Sequence, residues 1–165
     1  MQRLFTPWRY SYVSVSSSRD ICFLCAAVGS DEAGDELVVH STPHHVVLLN
    51  KFPYTNGHLL IAPKIHVPDP KDCASEAQAE FWPLVLECER VLERAFRPNG
   101  FNLGMNLGVA GGAGLPAHFH FHIVPRWEGD TNFMTVLGET RLVPQTLQQV
   151  RDRLRPLFKS SEGAE

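Results

Sequence analysis

Apolar positions along the chain fall into short β-rich runs, one long helical stripe and a terminal amphipathic segment. Residues 36–40 and 45–50 are two such runs, separated by Ser41-Thr42-Pro43, and they read as strand, turn, strand. The Pro and Asn-Gly of Lys51-Phe52-Pro53-Tyr54-Thr55-Asn56-Gly57 mark a loop, and residues 58–62 supply a third strand that completes a meander. Pro63, Pro68 and Pro70 break the pattern. Asp72 or Ser75 is then placed to cap a helix that runs to about Phe96, where Arg97-Pro98-Asn99-Gly100 stops it. Phe81, Leu84, Val85, Cys88, Val91, Leu92 and Ala95 recur at three- and four-residue spacing, giving this helix one buried face. Pro83 is expected either to kink it or to confine its regular part to the residues beyond the proline.

Residues 101–107 alternate as a strand, 108–114 form a glycine-rich loop, and 118–125 alternate again with strict period two. A C-terminal helix is expected over 145–158. Strands with short connections, one long helix and a terminal helix specify an α+β fold, an antiparallel sheet with helices packed against it. An N-terminal arm (1–20), a single domain (21–159) and a small polar tail (160–165) complete the expected organisation.

Composition narrows the function classes. A chain of 165 residues with 44% hydrophobic and 20% charged positions is the size of one globular domain and can build a real core. A net charge of −3 without a basic stripe provides no footprint for nucleic acid, so small molecules are the expected partners. No apolar stretch approaches the roughly 18 residues of a membrane span, and residues 1–18 lack the apolar core of a secretory signal. A cytoplasmic protein with reduced cysteines is therefore expected. Cys73 and Cys88 read as small apolar residues; Cys22 and Cys25, a Cys-x-x-Cys, need their own explanation.

The strongest chemical signal is His118-Phe119-His120-Phe121-His122-Ile123-Val124-Pro125-Arg126, three histidines alternating on an apolar strand. All three rings leave one face, while Phe119, Phe121 and Ile123 face the helices. A rise of about 3.3 Å per residue puts the outer Cα atoms about 13 Å apart, too far for both rings to reach one metal at about 2.0–2.1 Å. The histidines must divide their roles. Imidazole is neutral and nucleophilic near pH 7, which suits phosphoryl chemistry. The preceding glycines let backbone N–H groups approach an anion, but the segment lacks the Gly-Lys-Ser/Thr ending of a P-loop.

This His-φ-His-φ-His-φ-φ pattern, with φ apolar, resembles the motif of the histidine triad superfamily of nucleotidyl hydrolases and transferases. The resemblance extends to residues 46–50, 57–66 and 102–108 and the long helix. Arg3-Leu4-Phe5-Thr6-Pro7-Trp8-Arg9 and Pro125-Arg126-Trp127-Glu128-Gly129-Asp130-Thr131-Asn132-Phe133-Met134 are similar to the bacterial diadenosine tetraphosphate phosphorylase-like branch, related to the fragile-histidine-triad enzymes. It implies that His120 attacks the α-phosphorus of a dinucleoside polyphosphate to form a nucleotidyl-histidine, which water or inorganic phosphate then resolves. His122 would hydrogen-bond phosphate oxygens or assist the leaving group, and His58 would orient the site. Asn50 would contact ribose. Asn106 and the loop amides, Gly112 and Gly114 among them, would hold the α-phosphate, although the family often carries glutamine where this chain has Gly114.

The resemblance also implies a structural zinc on Cys22, Cys25, His66 and His118, an ordinary Cys₂His₂ set that leaves His120 free, and a homodimer. A redox role for the Cys-x-x-Cys lacks the surrounding βαβ pattern; a metal-free thiol pair is the other alternative. Trp8 and Trp127 are candidates to cover a nucleobase or, more simply, to anchor a core. Arg126 is a partner for a phosphate or a carboxylate, and Asp130, Thr131 and Asn132 form a polar cluster suited to a substrate-contacting or dimer-closing loop. His40, His44 and His45 read as surface or strand residues without a catalytic part. Two rival functions stand beside the main one: a nucleoside phosphoramidate hydrolase, and a non-catalytic nucleotide-binding or zinc-stabilised interaction protein.

Overall fold

A computed structural model describes residues 22–29, 36–131 and 143–161, the side chains of 160 and 161 excepted. The whole N-terminal arm (1–20), Trp8 included, the end of the tail and residues 132–134 of the segment after the triad lie outside the described residues. The elements are α1 (Phe23–Gly29), β1 (Val38–Ser41), β2 (His45–Leu49), β3 (Leu59–Pro63), a 3₁₀ turn (Pro70–Asp72), α2 (Ser75–Phe96), β4 (Gly100–Met105), β5 (Phe121–Arg126) and α3 (Leu147–Ser161). The five strands form one sheet in the order β1-β2-β3-β5-β4, every pair antiparallel. The first three strands are the expected meander.

Alternation assigns the two faces. Val47, Leu49, Leu59, Ile61, Phe121 and Ile123 face α2 and α3 and join Leu84, Val85, Cys88, Leu92, Leu154 and Phe158 in the main core. Val46, Leu48, Leu60 and Ala62 point the other way and are covered by Leu24 and Ala27 of α1. Strands β2 and β3 are thus buried on both sides. No cover from α1 reaches β5 and β4, where Asn102, Gly104, His122 and Val124 share the outer face and line a cleft.

Several expectations shift by a few residues. Helix α2 runs unbroken through Pro83. Both Pro83 and Ala79, whose carbonyl loses its partner to the missing proline N–H, are exposed, so the freed oxygen faces solvent. Its N-cap is Ala74, without a side-chain hydrogen bond; Asp69 instead caps the 3₁₀ turn, and neither Asp72 nor Ser75 caps the helix. Arg97 ends it at φ 49° and ψ 55°, as the stop signal implied. Gly57, at φ 75°, lies under Phe96, where a Cβ would come within 3.0 Å of the ring. Helix α3 continues through Ser161, two residues into the expected tail.

The strand expected over 118–125 starts later, at Phe121. Its β3 partner ends in Pro63, which has no N–H to donate and whose carbonyl accepts from the His118 ring at 2.9 Å. Phe119 turns aside to donate its N–H to Val67 and packs with Cys73 and Ala77.

Candidate active site

The start of β5 places the three histidines in three different surroundings. His122 lies in the ladder between Leu60 and Gly104. Its ring centroid is 5.0 Å from that of His120 and 5.2 Å from that of His58, which is almost fully buried at the entry to β3.

Hydrogen-bond partners fix the protons on these rings. The Tyr54 backbone N–H donates to His58 Nδ1 at 3.1 Å, so that nitrogen carries a lone pair and the proton of the neutral ring resides on Nε2. His58 Nε2 donates to His122 Nδ1 at 3.0 Å, which leaves His122 with its own N–H on Nε2. His120 is set the other way: Nδ1 donates to the His118 carbonyl at 3.2 Å, so the lone pair is on Nε2. The site therefore presents a nucleophilic nitrogen from His120 beside an N–H donor from His122.

Burial keeps these rings neutral. It lowers the pKa of His120, although the bond to the His118 carbonyl opposes the shift. It lowers that of His122 further, to about 4, with the neighbouring His120 adding to the effect.

A second cluster lies behind the first histidine. Cys22 and Cys25 from the start of α1, His66 after β3, and His118 bring four donor atoms within 4.8 Å of one another. Cys22 Sγ is 3.3 Å and Cys25 Sγ 3.5 Å from His118 Nδ1, and Cys25 Sγ is 3.1 Å from His66 Nδ1. Tetrahedral zinc, at about 2.3 Å from sulfur and 2.0–2.1 Å from nitrogen, separates its donors by about 3.5 Å, so these residues fit that ion. The Pro63 carbonyl accepts a hydrogen bond from His118 Nε2–H and so turns the Nδ1 lone pair towards the sulfurs, the outer partner expected of a ligating histidine. Burial, then Cys22, raise the Cys25 thiol pKa; a divalent cation is what would convert such a pair to thiolates.

The remaining sequence candidates divide. Asn106 joins His122 in lining a cleft of about 780 Å³. Asn50 sits behind His58: its Oδ1 accepts from the Phe52 N–H at 2.9 Å and its Nδ2 is 3.4 Å from His58 Nδ1. In the glycine loop the Gly112 N–H is spent on the Val109 carbonyl at 3.0 Å, and Gly114 lies in a bend. Gly111 is sterically required, since a Cβ there would meet the Leu107 carbonyl oxygen at 2.3 Å. Arg126 grips a carboxylate, with Nε and Nη2 at 2.6 and 2.8 Å from the two oxygens of Asp130 and Nη1 at 2.6 Å from Asn102 Oδ1. His40 and His45 are strand residues, but buried ones, His40 stacked on Phe158 and His45 bonded to Glu80 at 2.9 Å.

Tyr54, Pro63 and Asn102 are contributors that the sequence did not single out. Tyr54 and Pro63 act through backbone groups that every sequence shares, leaving no signal in side-chain type. Asn102 could have been found from its place opposite Val124, on the same face as His122.

Comparison with known proteins agrees with this arrangement. The HIT domain family matches residues 32–129. The chain is 37% identical over 160 residues to an AP-4-A phosphorylase of Mycobacterium tuberculosis, covering 92% of this chain and 81% of that protein. It is 29% identical to an asymmetrical bis(5'-nucleosyl)-tetraphosphatase of Schizosaccharomyces pombe, over 73% of this chain and 63% of the relative. A Zn-bound histidine triad family protein from Mycobacterium smegmatis superposes with a TM-score of 0.69 at 27% identity, covering 87% of this chain and 97% of the other. With the His-φ-His-φ-His-φ-φ run inside the matched segment, the chain belongs to the HIT domain family.

Proposed function

We propose that this protein is a single-domain nucleotidyl transferase that cleaves dinucleoside polyphosphates such as diadenosine tetraphosphate, with inorganic phosphate as acceptor. The observation that carries the reading is the opposed protonation of His120 and His122 at the start of β5, where His122 lines a cleft. His120 Nε2 attacks the α-phosphorus, an N–P bond forms, and the bond to the bridging oxygen breaks, releasing a nucleoside polyphosphate anion. The neutral His122 Nε2–H donates a hydrogen bond to the oxygens that gain charge, with no proton transferred.

Resolution of the nucleotidyl-histidine favours phosphate over water. Water needs a base to remove its proton, and His122 offers an N–H where that base would stand; inorganic phosphate is already anionic. The relationship to the phosphorylase of Mycobacterium tuberculosis supports the same choice.

Structural zinc on Cys22, Cys25, His66 and His118 is part of this reading; by gripping α1 and the residue two before the nucleophile it would hold the site together. So is a homodimer, supported by β4 standing at the sheet edge with Leu103 exposed. A cytoplasmic location accords with the nucleotide substrate; among the described residues no helix is long and apolar enough to cross a membrane.

The deciding experiment is product analysis with diadenosine tetraphosphate, with and without inorganic phosphate. ADP plus ATP formed only with phosphate is the expected result. AMP plus ATP in both tubes would make the enzyme a hydrolase. No cleavage in either, with turnover of an adenosine phosphoramidate, would overturn the substrate assignment.

A further inference from the structure

The cleft beside His122 extends well past the reacting histidines. Its walls include Tyr54, Asn102, Arg126, Trp127 and Thr131, and its volume of about 780 Å³ lies within the range of small-molecule sites. Arg126 stands four residues beyond His122 on β5, about 13 Å along the strand, a distance that a chain of phosphates spans and a single bridging oxygen does not.

The far end is built for an uncharged group. Arg126 is the cation there, and its guanidinium is already committed to both oxygens of Asp130 and to Asn102. The resulting wall has no uncompensated charge among its described residues to hold a phosphate. It has instead an aromatic side chain, that of Trp127, carried on a fixed turn: Asp130 Oδ2 accepts the Trp127 backbone N–H at 3.2 Å, the Asp130 N–H returns to the Trp127 carbonyl at 3.1 Å, and Gly129 closes the turn at φ 75°. Tyr54 lies nearly parallel to the His122 ring, 8° between planes at 6.0 Å, which carries aromatic surface along the cleft towards His122. Asn102 and Thr131 supply polar groups for the edge of a base.

We propose that this cleft seats the second nucleoside of the substrate, the one that departs with the leaving polyphosphate, with its base stacked on Trp127. The assignment rests on the dinucleoside polyphosphate reading and gives it a reason for preferring two nucleosides over one. The Arg126–Asp130 pair holds the backbone turn from which Trp127 projects, without touching phosphate.

The test measures binding, independently of turnover. In the His120→Ala protein, calorimetric titration compares diadenosine tetraphosphate with adenosine 5′-tetraphosphate, which lacks the second nucleoside. The expected preference for the dinucleotide is about tenfold, in line with one base stacked on one aromatic ring. Adding Trp127→Ala abolishes the preference and leaves the affinity for adenosine tetraphosphate unchanged, while Trp127→Phe retains most of it. Should Trp127→Ala fail to fold, Trp127→Leu fills the space without a π-face and is expected to lose the preference too. Equal affinities in the His120→Ala protein with Trp127 intact, equal weakening of both ligands by the Trp127 substitution, or no binding of either ligand would overturn the proposal. If wild-type protein cleaves neither compound yet the dinucleotide preference persists and depends on Trp127, the catalytic reading falls and the subsite stands.

Discussion

His120 donates its Nδ1 proton to the backbone carbonyl of His118 across 3.2 Å, so the residue two positions earlier decides which nitrogen of His120 is nucleophilic. His118 has the opposite tautomer, its Nε2 proton given to Pro63 and its Nδ1 facing the two cysteines. One tripeptide thereby holds a metal-type ligand and a nucleophile with their lone pairs on different nitrogens. Replacing His120 with Ala removes the proposed nucleophile and is expected to lower kcat by about three orders of magnitude or more. Thermal unfolding and metal content should match wild type. Single-turnover cleavage of diadenosine tetraphosphate is the measurement, and near-normal turnover would refute the assignment.

The relay from Tyr54 through His58 to His122 predicts a non-additive pair. His122→Ala deletes the donor and is expected to cost about 100-fold or more in kcat. His58→Ala leaves the donor in place but frees its ring to adopt the wrong tautomer, for a smaller loss of about tenfold. Because His58 acts through His122, the double variant should be no slower than His122→Ala alone. Multiplying losses would mean that His58 acts independently.

The pH dependence has a defined sign. Burial, then His120, hold the His122 pKa near 4, below the ordinary value of 6.5, so the fold prefers the neutral ring. Its contribution to stability is complete above pH 6.5 and is lost as pH falls through about 4. The Nε2–H donor of His122 survives protonation, so the pH dependence of turnover follows the Nε2 lone pair of His120, whose pKa burial also lowers. With zinc present, the acid limb of kcat is expected to lie below the ordinary imidazole value of 6.5. In single-turnover formation of the nucleotidyl-histidine, a limb centred on that value would show that His120 is not held neutral.

The meander, the long helix and the triad were legible because periods of two and three to four residues write themselves into side-chain type. Helix α1 was not: with seven residues it is too short to display a period, and only the sheet beneath it explains Leu24 and Ala27. The late start of β5 was hidden because 118–120 alternate just as the ladder residues do; what ends the pairing is the missing N–H of Pro63. The burial of His40 and His45 was missed because a polar residue on a strand does not reveal its face until a neighbour such as Phe158 or Glu80 is in place. The protons of the site histidines are set in part by backbone groups of Tyr54, Pro63 and His118, on which the sequence is silent. The Arg126–Asp130 pair was half visible, its residues named and its partner choice left open.

Removal of the metal should be felt at His120 through one peptide unit. The donor set draws on the start of α1, the segment after β3 and the residue before Phe119, so zinc would cross-link three parts of the chain. Cys25→Ser is expected to reduce bound zinc to a small fraction of one equivalent and to lower the unfolding temperature, because metal binding adds directly to folding free energy. It should also lower kcat more than it raises KM. Once His118 is released its carbonyl no longer fixes the His120 tautomer, whereas the groups that line the substrate cleft are left in place. Chelation of wild-type protein should reproduce both effects, and zinc should reverse them in wild type but not in the variant. Elemental analysis, thermal melts and steady-state kinetics on the same samples check the chain of cause. Full activity in protein shown to be metal-free would mean that Pro63 alone suffices to hold His118.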